Sequence, residues 1–243
     1  MILNNSLKLI KKKIRYFYLN SNLYNKKITP SSVGLIEYQP SPSLLDCLIK
    51  YDKKKINIEN YSLNEIWDNS DLKRKDQQNL NSFFWLFSLD LKSSKKDTQN
   101  VIYQWIDTND RYNSKNWKID IIGKRIIAWI SNSRLTYEDG SLDYKDKFNG
   151  IIKKQINHLI NEIETSQLIN DKIIGCAAII LTGLSYPQNN NYLNTGLSLL
   201  KKLAKYSLDN NGFPKSRNAR QLSFYLKYFI LIREWFKESQ NEI

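Results

Sequence analysis

From Asp76 onward the apolar positions recur every three or four residues, the spacing of successive helix faces. The pattern predicts helices over 76–92, 96–110, 119–135, 141–164, 168–185, 191–208 and 219–238, separated by short polar or Gly-containing breaks. In the third, Ile122, Ile126, Trp129 and Ile130 follow the i, i+4, i+7, i+8 rule. The fifth carries Ile173, Ile174, Ala177, Ala178, Ile180, Leu181 and Leu184 with almost no polar face, so it is expected to be buried all round. The sixth sets Leu193, Leu197, Leu200 and Leu203 against Lys201, Lys202 and Lys205, as an outer helix does. Apolar inner helices and amphipathic outer ones predict an all-α fold in two layers. An incomplete (α/α) toroid of antiparallel helix hairpins supplies both, and a two-layer bundle is the alternative.

The first 75 residues read differently. Leu3, Leu7, Ile10, Ile14 and Phe17 form an apolar stripe with lysines on the other side, a basic amphipathic helix over residues 1–25. The stripe is expected to pack on the domain; attachment to an anionic membrane surface through residues 2–18 is the other reading. Residues 26–75 form an irregular arm, in which three of the five prolines forbid a continuous helix and "VGLIEY" and "KINIENY" are candidate short strands. The domain proper is then 76–243, with 26–243 as a single unit in the wider reading.

Composition narrows the function classes. With 41% hydrophobic residues, 8 Gly and 5 Pro the chain is globular rather than disordered. It has no long uncharged apolar run and no signal-peptide pattern, so the default expectation is cytoplasmic, with the periplasm left open. Cys47 and Cys176 are expected to be free thiols, and one histidine, His158, excludes a multi-histidine metal site. No metal and no cofactor is expected, and no phosphate-loop, dinucleotide or Ser/His/Asp signature is present. The net charge of +13 invites an anionic partner, although only eight of the 37 basic residues are Arg, the better fork for carboxylate or phosphate.

Three segments, "FFWLFSLDL" (83–91), "WKIDIIGKRIIAWI" (117–130) and "NGFPKSRNARQLSFYLKYFILIREWF" (211–236), together resemble the N-terminal α-helical domain of the bacterial heparinase II/III-like proteins. Trp117, Arg125 and Trp129 match that family's W…R-x-x-x-W helix. Gly212, Ser216, Arg217 and Asn218 match its D-G-x-x-x-S-R-N-P loop, with Asn211 in place of Asp and Ala219 in place of Pro. The resemblance implies a toroid facing a C-terminal β-sandwich across a polysaccharide cleft, and β-elimination of uronic-acid-containing glycans. No segment here has the length of that sandwich, so the expectation is one half of a split or truncated protein, a partner that carries the other half, or a domain that has lost catalysis.

The resemblance makes Asn218 the candidate neutraliser of the uronate carboxylate and Arg217 and Arg220 its companions, while Tyr225 is a candidate acid or base. Asn218 is equally a strong N-cap for the last helix, and Tyr225 equally a core aromatic. Trp117, Arg125 and Trp129 are candidates for a sugar-stacking platform, or else for packing with a cation–π contact. The implied partner is an anionic polysaccharide. The rival expectation is a non-enzymatic helical scaffold for a membrane surface or, less supported by motifs, nucleic acid.

Overall fold

A computed structural model describes residues 2–42, 44–45, 73–89 and 94–240. Ten α-helices occur among them: α1 Ile2–Leu19, α2 Asn22–Ile28, α3 Arg74–Ser82, α4 Lys95–Asn109, α5 Ile119–Ser131, α6 Ser133–Thr136, α7 Leu142–Glu162, α8 Ile169–Ser185, α9 Asn190–Ser207 and α10 Ala219–Glu238. Four begin at a polar side chain that accepts a backbone N–H of the first turn: Ser21 for α2, Ser94 for α4, Ser141 for α7 and Asn218 for α10. These side chains satisfy donors that a helix start leaves without intrahelical partners. Helices α5 and α8 start without such a side-chain cap and carry Asp120 and Asp171 in their first turns instead, where a negative charge suits the helix dipole.

Helix α8 is the centre. Every residue from Ile173 to Ser185 is buried, and the helix packs against α5, α7, α9 and α10. Glycine permits two of these approaches. A Cβ at Gly183 would lie 2.5 Å from the Leu193 backbone nitrogen of α9, and one at Gly196 would lie 2.6 Å from the Ile180 side chain of α8. The amphipathic α9 is half-exposed, as its lysine pattern requires. Beside α5 lies an aromatic cluster of Phe83, Trp105, Trp129 and Phe148, with ring centroids 5.0 to 5.8 Å apart, a range favourable for edge-on and offset contacts.

An extended segment, residues 32–41, crosses one end of this assembly. Its Glu37 N–H donates to the carbonyl of Ser185 at the end of α8 (2.9 Å), and Gln39 accepts from Ser133 just past α5 (2.7 Å). Tyr38 donates to Glu238 in the last turn of α10 (2.8 Å). This is where the candidate strand "VGLIEY" lies, and it pairs with a helix end rather than a sheet. Among the described residues the only ladder contact is an isolated bridge between Leu208 and Pro214. "KINIENY" and Cys47 lie outside the described residues.

Three further expectations change. The helix expected over 119–135 breaks at Asn132, whose side chain donates back to the Ala128 carbonyl and whose backbone leaves helical geometry. The helix expected from 76 to 92 stops at Ser82, because Phe83 is left-handed (φ 56°) and leads into a 3-10 turn over Phe84–Ser88. The described part of the α1 stripe does not pack on the domain: Ile10, Ile14 and Phe17 are 54, 62 and 71% exposed. The helix meets α2, and its Arg15 pairs with Glu162 of α7.

Candidate functional site

The loop between α9 and α10 is built around Asp209. Its carboxylate accepts the N–H groups of Asn211 (2.9 Å) and Phe213 (3.0 Å) through Oδ1 and pairs through Oδ2 with Arg217 (2.6 Å). The Phe213 amide, more than the arginine, holds the Asp209 carboxyl below the usual carboxylate range. Gly212 supplies the left-handed turn at φ 78°. Lys215 closes the loop by donating its N–H to Ser207 (2.9 Å), while its ammonium donates to the Lys205 carbonyl (2.9 Å).

Asn218 follows as the cap of α10, its Oδ1 accepting from Arg220 N (3.0 Å) and Gln221 N (3.4 Å). Its amide NH2 donates to none of the described residues. Arg220 is exposed and forms no ion pair among the described residues, whereas Arg217 is tied to Asp209. The exposed start of a twenty-residue helix, with these donors and cations beside it, favours an anion. A groove of about 300 Å³ lies where α9 ends and α8 begins, lined in part by Lys172, Lys202, Leu203 and Tyr206.

The structure does not bring the other candidates to this loop. Tyr225 is buried among Phe224 and Phe229, hydrogen-bonded to Gln221, and burial pushes its phenol up, the wrong direction for a base near neutral pH. Trp117, Arg125 and Trp129 are buried too, so the sugar-stacking platform is corrected to packing. The Arg125 guanidinium sits 3.9 Å over the Trp105 ring and donates to the Asn116 carbonyl (2.7 Å), and its Nε has no partner among the described residues. Burial pulls the Arg125 pKa well below its ordinary value.

His158 is also internal, between Tyr24, Tyr112 and Trp117. Cys176 donates to the Gly196 carbonyl (3.3 Å), and burial pushes its thiol up to about 12. No group of three His, Cys, Asp or Glu among the described residues could hold a metal ion, and none of the described helices is long and apolar enough to cross a membrane. Asp209, which orders the loop, escaped the sequence reading; the Asp-x-x-Gly spacing of 209–212 is the turn signal that marks it. The chain matches no family model, no curated protein and no solved structure.

Proposed function

We propose that the chain is a heparinase II/III-like toroid domain that binds a uronic-acid-containing anionic polysaccharide at the loop before α10. The directions of the helices support the toroid. The ends of α8 and α10 and the start of α6, just past α5, all meet the segment 32–41, so α5, α8 and α10 run the same way. Lys95 at the start of α4 reaches Asp139 after α6, and Tyr144 at the start of α7 donates to Thr136, so α4 and α7 run opposite to them. The short 3-10 turn Pro187–Asn189 between α8 and α9, and the packing of these two helices on each other, fit a further hairpin in this reading.

The observation that carries the binding reading is the division of labour within Asn218. Its oxygen is consumed by the helix cap, which leaves the two amide hydrogens as donors beside Arg220 at an exposed helix start. This is the geometry a carboxylate neutraliser needs. The burial of Tyr225 disfavours it as the base, so in this reading the proton transfers of β-elimination fall to groups beyond this loop, such as a β-sandwich on a partner chain.

Asn218→Asp separates cap from ligand, because Asp caps a helix as well as Asn but repels a carboxylate. Titration calorimetry with a uronate polymer is expected to show binding that Asn218→Asp weakens tenfold or more and Arg220→Ala weakens less. Wild-type protein that ignores the polymer, or binds it unchanged after Asn218→Asp, refutes the reading.

A further inference from the structure

The face of α1 that the domain leaves uncovered matches an anionic lipid surface, and we propose that this helix docks the protein in the plane of such a membrane. The proposal is independent of the polysaccharide loop. Leu19 is buried and Arg15 is paired with Glu162, which fixes the side of α1 that faces the body. Phe17 is two positions before Leu19, about 200° round the helix, and Ile10 and Ile14 share its side. The apolar stripe therefore points away from the domain.

Charge identifies the occupant. The first 36 residues contain seven basic residues (Lys8, Lys11, Lys12, Lys13, Arg15, Lys26 and Lys27) and no Asp or Glu; the first acid in the chain is Glu37. Lys11 and Lys13 are exposed and border the stripe on its two sides, positions from which long side chains reach headgroups while the stripe enters the acyl boundary. Tyr16 and Tyr18 are exposed on the same helix, and in α2 the exposed Leu23 stands one turn before exposed Lys26 and Lys27. Nine of the fifteen exposed large apolar side chains among the described residues fall between Leu9 and Leu35. A protein partner would cover an apolar stripe equally well, but an acid-free basic rim complements a continuous layer of negative headgroups, each nearby cation adding to the attraction.

Vesicle co-sedimentation of the full chain tests this. Phosphatidylcholine vesicles containing phosphatidylglycerol are expected to pellet the protein, and pure phosphatidylcholine vesicles to leave it in solution. Phe17→Ser should weaken binding about tenfold or more by removing the largest apolar group of the stripe. Lys11→Glu, Lys12→Glu and Lys13→Glu combined should weaken it at least as much, and added salt should release the wild type. All four positions are exposed, so the thermal midpoint should stay where it is in both variants, which separates lost docking from lost folding. The proposal is overturned if the wild type ignores phosphatidylglycerol vesicles or if Phe17→Ser binds them like wild type. It is equally overturned if light scattering shows a lipid-free dimer that Phe17→Ser separates, because a second copy then covers the face.

Discussion

The Tyr24 hydroxyl lies 2.8 Å from Nδ1 of His158, joining α2 to the C-terminal part of α7 inside a ring of aromatic side chains. The imidazole is almost wholly desolvated, and burial lowers its pKa from 6.5 to about 4, against a smaller opposing effect from the Trp117 backbone. Between pH 6.5 and about 4 the unfolded chain binds the His158 proton and the folded chain largely does not. Stability therefore falls as the pH drops from 6.5 towards 4, by roughly 3 kcal/mol at most for this group. Urea unfolding across that range is expected to show the loss, and His158→Gln should flatten it. An unchanged pH slope in His158→Gln would assign the loss to other groups.

Gly183 and Gly150 make opposite predictions for the same substitution. At Gly183 a methyl group meets the α9 backbone, and Gly183→Ala is expected to destabilise by about 1–3 kcal/mol. At Gly150, in α7, a Cβ meets nothing within 4 Å, so Gly150→Ala should stabilise by about 0.5–1 kcal/mol through helix propensity. Denaturant midpoints of the two variants, moving apart about the wild type, are the check.

Arg125 is a fully buried cation with no carboxylate partner among the described residues. Such a charge gains little against an apolar side chain of similar length, so Arg125→Met is expected to be neutral within about 1 kcal/mol or stabilising. Arg125→Lys should be worse than Arg125→Met, since the compact ammonium keeps the charge and loses the flat stacking on Trp105. If Arg125→Met proves the more damaging of the two, the guanidinium has a role beyond packing.

Asp209 should control the order of the polysaccharide loop. Asp209→Ala removes the acceptor for the Asn211 and Phe213 amides and the partner of Arg217. Faster hydrogen exchange at those two amides and weaker polymer binding are expected together. In the wild type the protection of those amides, taken relative to their intrinsic exchange at each pH, should be lost only in acid, because the carboxyl is held low and stays charged well below neutral pH. Exchange that does not respond to Asp209→Ala would place the order of the loop elsewhere.

The helices were legible to within a few residues because their apolar periods are long and regular. Helices α4, α7, α8, α9 and α10 begin and end near the expected positions, and the all-apolar run of α8 foretold its central place. The break at Asn132 and the left-handed Phe83 were not legible: each depends on local geometry that periodicity does not encode. Periodicity also shows that a stripe exists without showing what lies opposite it. Ile10, Ile14 and Phe17 of α1 face outward, while the Trp117, Arg125 and Trp129 set, with two aromatics and a cation that suit a sugar, faces the core. At the loop, residue types announced Asn218 and its arginines, but the contribution of Asp209 lies in two backbone amides and one ion pair that only the folded turn brings together.

The strap of residues 32–41 has a mechanical consequence. It ties the closing turns of α8 and α10 and the junction past α5 to one strip of backbone, so that rim behaves as a hinge pin. Helices pinned at one rim splay most easily at the other, where α5 and α8 start without side-chain caps and α10 starts at Asn218. Whatever occupies the Asn218 loop therefore presses on the compliant edge of the molecule, and its arrival should be felt as a tightening of the three helix starts rather than as a movement of the belt.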